Sequence, residues 1–261
     1  GSKTELDDIG DLDNARFEIF APKNDSYSAL LGLTYATEKF EESDATSVTT
    51  GSKQYEGAFL KLGYNILPEV VLVEAGVRNE FSKLKSLATS YQLGFTFFKE
   101  LKLEYSTGFK PPSLAQLYSP NYGNPDLKAE TAETVNLLYD KKWTDVFSTS
   151  VSVFDSNYKN LLIYVGNYPT GKYQNVSKSR TSGAELASNF ADQDRNINYQ
   201  LFLAYQEPYD ATTGTWLVKR PLHSSGAKIT KIFADEQANL TLEVTHVGER
   251  RDKRTSTKFI Q

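Results

Sequence analysis

Apolar and polar positions alternate along most of this chain. In residues 147–153, Phe147, Thr149, Val151 and Val153 fall on one face of an extended segment and Ser148, Ser150 and Ser152 on the other. The same rhythm sets Val71, Val73, Ala75 and Val77 against Glu74, Gly76 and Arg78, Leu101, Leu103 and Tyr105 against Lys102, Glu104 and Ser106, and Leu240, Leu242 and Val244 against Thr241, Glu243 and Thr245. A period of two predicts β-strands that are apolar on one face only. The alternation supports about twelve or thirteen such strands, within the size range of single-chain outer-membrane barrels. The connections alternate as well. Short polar turns are expected at 21–25, 65–69, 98–101, 141–145, 191–196 and 234–239, and longer segments at 42–54, 80–90, 108–130, 164–173, 207–219 and 249–258.

Two architectures use this rhythm. A soluble β-sandwich presses its apolar face against a second sheet and has a typical strand length of about five or six residues. A transmembrane β-barrel turns that face to lipid, crosses with about nine to eleven residues per strand, and joins strands by short turns at one rim and long loops at the other. The runs 146–163, 174–190 and 196–206 exceed what a sandwich needs and favour an all-β, antiparallel, up-and-down transmembrane barrel. In hydrocarbon every backbone amide must be satisfied within the protein, and a closed cylinder of strands does this without helices. Glu74, Arg78, Lys102, Glu104, Glu185 and Glu243 are then expected to point inward. Tyr35, Tyr64, Tyr91, Tyr139 and Tyr205, near strand ends, suit the interfacial girdles of a barrel, or equally the core of a sandwich.

Composition narrows the chemistry. The 261 residues hold 16 tyrosines, 15 phenylalanines and two tryptophans but no cysteine, and the formal charge is −4. The negative balance argues against a nucleic-acid partner, and the missing cysteine removes disulfides, thiolate metal sites and thiol nucleophiles. The sequence gives no reason to bring the two histidines, His223 and His246, together, so a histidine-based metal or catalytic site is not expected. His223 and Ser224 are strand neighbours that point to opposite faces, a poor arrangement for proton transfer. No catalytic residue, cofactor or metal site is predicted. Arg250, Arg251, Lys253 and Arg254 form a basic run suited to phosphate or to an exposed loop balanced by Glu249 and Asp252.

The segment "YSTGFKPPSLAQLYSPNYGNPDLKAE" (105–130) resembles the signature of TonB-dependent outer-membrane receptors. The matching positions include Gly108, Phe109, Lys110, Pro112, Ser113, Leu117, Tyr118, Gly123, Asn124, Pro125, Asp126, Leu127, Lys128 and Glu130. Pro111 stands where the family usually has alanine, and Ala129 where it usually has proline. Further likenesses follow in family order: "NYKNLLIYV" (157–165), "YQNVSKSRTSGAEL" (173–186), "KRPLHSSGAKI" (219–229) and "VTHVGERRD" (244–252). The resemblance is most similar to the cobalamin and siderophore branches, with a slight lean to cobalamin.

The resemblance implies active import of a scarce ligand, cobalamin or a ferric siderophore, across the outer membrane of a Gram-negative bacterium. TonB would act through a plug and coupling box, with outer-membrane lipid and lipopolysaccharide around the barrel. Family barrels reach about 22 strands, so residues 3–261 are expected to be a portion of the barrel, without plug or final strands, and Gly1-Ser2 a cloning remnant. Four prolines, Pro111, Pro112, Pro120 and Pro125, lower the entropy cost of fixing the 108–130 loop. Loop position nominates Tyr118, Tyr122, Asn124, Tyr164, Tyr168, Tyr209 and Trp216 as ligand contacts. A passive porin and a soluble β-sandwich adhesion or sugar-binding module are the alternative readings.

Overall fold

The computed structural model describes residues 7–21, 26–43, 48–82, 85–167, 170–175, 178–192, 194–217, 220–233, 238–251 and 259–260. In chain order these form β1 (Asp7–Phe20), β2 (Tyr27–Ser43), β3 (Val48–Leu67), β4 (Val71–Ser82), β5 (Lys85–Phe97) and β6 (Leu101–Lys110). A short helix α1 (Leu114–Tyr118) precedes β7 (Glu130–Lys142), β8 (Phe147–Lys159), β9 (Leu162–Val165), β10 (Lys172–Asn175), β11 (Ser179–Asp192) and β12 (Ile197–Asp210). The chain continues through β13 (Thr215–Trp216), β14 (His223–Phe233), β15 (Ala238–Val247), β16 (Arg250–Arg251) and β17 (Phe259–Ile260). Thirteen strands make one antiparallel sheet in chain order, with β8 pairing β11 and β12 pairing both β14 and the short β13; the β9–β10 and β16–β17 hairpins stand apart from it. No helix among the described residues is long and apolar enough to cross a membrane, so any crossing is made by strands.

The sheet carries its apolar side chains exposed. Leu137, Leu203 and Leu242 are 42%, 43% and 61% accessible, while the buried hydrophobic residues among those described are Leu114, Leu117 and Leu127, all in the segment between β6 and β7. A sandwich would bury this face against a second sheet; here a single sheet leaves it open, as a lipid-facing wall requires. The register joins Tyr64, Val73, Phe95, Leu103, Leu137, Val153, Ala184 and Tyr205 into one row across eight strands. That row starts near the turn end of β3 and finishes toward the loop end of β12, the stagger that tilted barrel strands require. Tyr35, Tyr91 and Tyr139 lie on the same face by register.

The opposite face is polar and concave. Lys61 Nζ lies 3.0 Å from Glu74, and Lys102 Nζ lies 2.7 Å from Glu104 and 3.7 Å from Glu74. Gln92 donates to Glu104 at 2.9 Å. Arg78, Glu185 and Glu243 share this face through their pairings with Phe59, Ser152 and Lys228. Concavity follows from α1: it leaves from β6 yet packs against β2 and β3, and a Cβ on Gly51 of β3 would stand 3.0 Å from the Tyr118 ring. Gly51 alternates with Lys53, Tyr55 and Phe59 on the polar side, so the segment between β6 and β7 spans the inside of a curved wall.

The sheet is an open arc, with β1 and β15 at its two ends and no pairing between them among the described residues. It is therefore a partial barrel. The strands are longer than the sequence suggested at the loop end: most of 42–54 and 80–90, expected as loops, belongs to β2, β3, β4 and β5. Conversely, the run 146–163 breaks after β8, where Asn160 adopts φ +59°, and 174–190 breaks between β10 and β11. At the opposite rim the β5–β6 turn is tight: Phe98 and Lys99 have φ of +52° and +60°, and Glu100 N donates to the Phe97 carbonyl at 3.0 Å. Two successive left-handed residues give the primed turn whose twist matches antiparallel strands.

Leu137→Arg, on the exposed apolar face, is expected to lower folding stability in phospholipid vesicles by about 2–4 kcal/mol. Asn136→Lys, one residue earlier and beside Glu104 on the polar face, is expected to cost far less. Urea titration of both proteins checks this; equal losses would mean that the two faces do not differ in surroundings.

Candidate functional site

The segment between β6 and β7 folds on a small core of its own. Ser113 caps α1 reciprocally with Gln116: Gln116 N donates to Ser113 Oγ at 3.2 Å and Ser113 N donates to Gln116 Oε1 at 2.9 Å. This fixes the helix start so that Leu114 and Leu117 point inward, where they are buried together with Pro112 and Leu127. Gly108 and Phe109 close β6 before it, and Pro125 sits in the turn where Leu127 N reaches the Asn124 carbonyl at 3.4 Å. Gly123 makes the tightest approach, donating its N–H to the Ser119 carbonyl at 2.8 Å. A Cβ there would sit 2.4 Å from that oxygen, so only glycine fits.

Hydrogen bonds then fasten this segment to its neighbours. Asn124 donates through Nδ2 to the Tyr173 carbonyl at 2.9 Å and accepts from Asp126 N at 3.0 Å. Asn175 accepts from Lys128 N at 2.7 Å and donates at 2.8 Å to the carbonyls of Lys128 and Asn160. Glu130 accepts from Leu162 N at 2.7 Å and lies 3.7 Å from Lys110. Asn121 reaches the buried Glu42 of β2 at 3.4 Å. Three separate stretches, 110–130, 160–175 and the upper end of β2, are thereby held as one unit at the loop rim.

Three tyrosines gather on this unit. Tyr173 stands edge-on to both Tyr122 and Tyr164, with ring centroids 5.8 Å apart in each case. Tyr173 N also donates to the Tyr122 carbonyl at 3.1 Å. The Tyr164 hydroxyl is buried without a hydrogen-bond partner among the described residues. Of the nominated contacts, Tyr122, Tyr164 and Asn124 come together here. Asn124 is spent on holding the backbone, and Tyr118 lies over Gly51 on the β3 side of the loop. Tyr209 and Trp216 form a separate edge-on pair at 6.1 Å. By register Tyr209 shares the face of Leu203 and Tyr205 rather than the concave side. Tyr168 lies outside the described residues.

Sequence reasoning passed over Tyr173, Asn175 and the fastening role of Glu130. All three lay in quoted motifs, and the signal that would have found them is an Asn or Glu in a turn-rich stretch, whose side chain satisfies loop backbone. It also passed over the meeting of His223 and His246, whose rings stack with centroids 5.7 Å apart. No group of three or more His, Cys, Asp or Glu residues placed to hold a metal occurs among the described residues. Of the basic run, Arg250 and Arg251 form the β16 strand, and Lys253 and Arg254 lie outside the described residues.

Comparison with known proteins agrees with this architecture. A family model described as TonB dependent receptor-like, beta-barrel matches residues 4–259. A vitamin B12 transporter, BtuB, of Vibrio cholerae is 30% identical over 186 residues, which is 69% of this chain and 29% of that protein. BtuB of Vibrio vulnificus is 20% identical over 234 residues, 87% of this chain and 37% of that protein. The chain thus spans about a third of the length of these curated relatives. The siderophore receptor PirA from Acinetobacter baumannii superposes with a TM-score of 0.72 at 16% identity, covering 92% of this chain and 43% of the receptor. The ferric enterobactin receptor PfeA from Pseudomonas aeruginosa gives 0.71 at 18% identity, covering 95% and 42%. At such identities these structures speak for the fold alone.

Asn175→Ala removes three hydrogen bonds, two that join the loops through Lys128 and one to Asn160 within its own loop, and the expected local cost is about 2–4 kcal/mol at roughly 1 kcal/mol per bond. Amide hydrogen exchange is expected to quicken at Lys128 and Leu162 while β7 and β8 keep their protection. Unchanged exchange at those two amides would show that Asn175 does not fasten the unit.

Proposed function

Because the chain belongs to the TonB-dependent receptor-like β-barrel family and is a part of a Gram-negative outer-membrane protein, we propose that it captures a scarce ligand outside the cell for energised import. The observation that carries this reading is the loop unit: a proline-braced segment with its own buried core, bolted to a second loop, presenting Tyr122, Tyr164 and Tyr173 above a concave polar wall. Fixing these rings beforehand reduces the ordering cost that binding would otherwise meet. A large, partly apolar ligand with polar edges suits such a site, since tyrosine offers ring area and a hydroxyl together.

Cobalamin is the first choice of ligand. Its support is the likeness over 186 residues to proteins named vitamin B12 transporters. A ferric siderophore is the second, supported by the fold shared with siderophore receptors. In this reading TonB, driven by the inner-membrane proton gradient, acts on a plug segment outside residues 1–261, and the exposed apolar band is embedded in lipid with lipopolysaccharide at its outer edge. Tyr118, Tyr209 and Trp216 are secondary contacts in the proposal, and Tyr168 a further one.

Cells making the complete protein are expected to take up radiolabelled cyanocobalamin saturably, with uptake abolished by a protonophore. Tyr122→Ala or Tyr173→Ala is expected to weaken surface binding at least tenfold, about 1.4 kcal/mol. Uptake of ferric siderophore but not of cobalamin would reverse the ligand order, and uptake indifferent to the protonophore would make the barrel a passive pore.

A further inference from the structure

The only two histidines of the sequence meet on the outer face, away from the loop unit. β14 pairs His223 with Tyr205 of β12, and β15 pairs His246 with Ser225, so the two imidazoles are diagonal neighbours across one strand pair. Their rings stack at 5.7 Å with planes 29° apart. Gly248 makes room for this: a Cβ there would come within 2.2 Å of His223 Nε2, so the ring lies down over bare backbone toward His246. Gly248 N in turn donates to the His223 carbonyl at 2.9 Å and fixes the approach.

Neither imidazole is hydrogen-bonded to another side chain among the described residues, and both residues are exposed. The nearest phenol on β12, Tyr205, is committed to Glu207 at 2.6 Å. Two imidazoles side by side, with uncommitted ring nitrogens, make a chelating pair. Imidazole nitrogens bound at about 2.0–2.1 Å to one ion, at a tetrahedral or cis tetragonal angle, place the ring centroids roughly 4.5–5 Å apart, so the exposed rings close by about 1 Å and turn from stacked to converging planes when they share an ion. Imidazole suits the borderline divalent ions, and affinity among them peaks at Cu(II).

We propose that His223 and His246 form a two-imidazole site for a divalent transition-metal ion, Cu(II) ahead of Ni(II) and Zn(II), with water in the remaining positions. A bound ion joins β14 to β15 at the outer end of the apolar band, and binding to the folded state alone adds to its stability. The site is independent of the ligand-capture proposal, because the imidazoles lie on the convex face and the tyrosine cluster belongs to the loop rim.

The test is a Cu(II) titration of the complete outer-membrane protein, metal-free and in detergent, followed by electron paramagnetic resonance. The wild type is expected to bind one equivalent more than His223→Asn, His246→Asn or the double variant, with coupling from two nitrogens. That equivalent is expected to bind at least tenfold more weakly in Gly248→Ala, which keeps both imidazoles but displaces one. Equal stoichiometry in wild type and double variant overturns the site. Should an asparagine variant fail to assemble, the wild-type spectrum decides, since a count without any two-nitrogen Cu(II) species also overturns it.

Discussion

A strand in hydrocarbon must give every amide a partner, and the rest of this molecule follows from that demand. Each interior strand of the thirteen-stranded sheet is paired on both sides, which leaves its side chains free to differ completely between faces. One face meets lipid and is apolar though exposed; the other meets water and holds Lys61, Glu74, Lys102 and Glu104 in mutual contact. The usual relation between burial and hydrophobicity is thereby inverted. Packing a second sheet against the apolar face would satisfy the same amides, but nothing among the described residues supplies such a layer.

The loop unit obeys the ordinary rule inside this inverted frame. Beyond the apolar band the chain is in water, where a long irregular segment keeps one shape only if it buries something. Leu114, Leu117, Leu127 and Pro112 provide that core, and Asn124, Asn175 and Glu130 satisfy the backbone the core cannot reach. Packing and side-chain capping therefore act together, and the tyrosines they position inherit that rigidity.

The alternation made the two faces legible: Glu74, Arg78, Lys102, Glu104, Glu185 and Glu243 all stand on the side opposite the apolar row. Strand length was less legible, for a physical reason. Above the apolar band both faces of a strand meet water, so outward positions such as Thr50 and Ser52 need not be apolar. The hydropathy signal stops while the hydrogen-bond ladder continues, and 42–54 reads as a loop although most of it is β2 and β3. Loop fastening and the histidine pair were not legible because they depend on register between distant strands. His223 and His246 look unrelated until β14 and β15 set them diagonally across from one another, and Tyr173 gains its role only when 122 and 164 arrive beside it.

Because the two faces alternate residue by residue, a slip of one position would put charges into lipid and leucines into the lumen. The register irregularities of β3 and β4 fall at Asn65/Leu67 and Glu80/Ser82. Asn65/Leu67 adjoins the short turn and Glu80/Ser82 lies near the loop end. Neither interrupts the stretch from Leu60 to Tyr64, where Val73, Ala75 and Val77 continue the apolar row. A bulge changes which face its neighbours occupy, so it is tolerable only where both faces see the same solvent. The placement of these irregularities thus marks the edges of the lipid-facing band independently of hydropathy, and it agrees with the tyrosines Tyr64 and Tyr91 that border it.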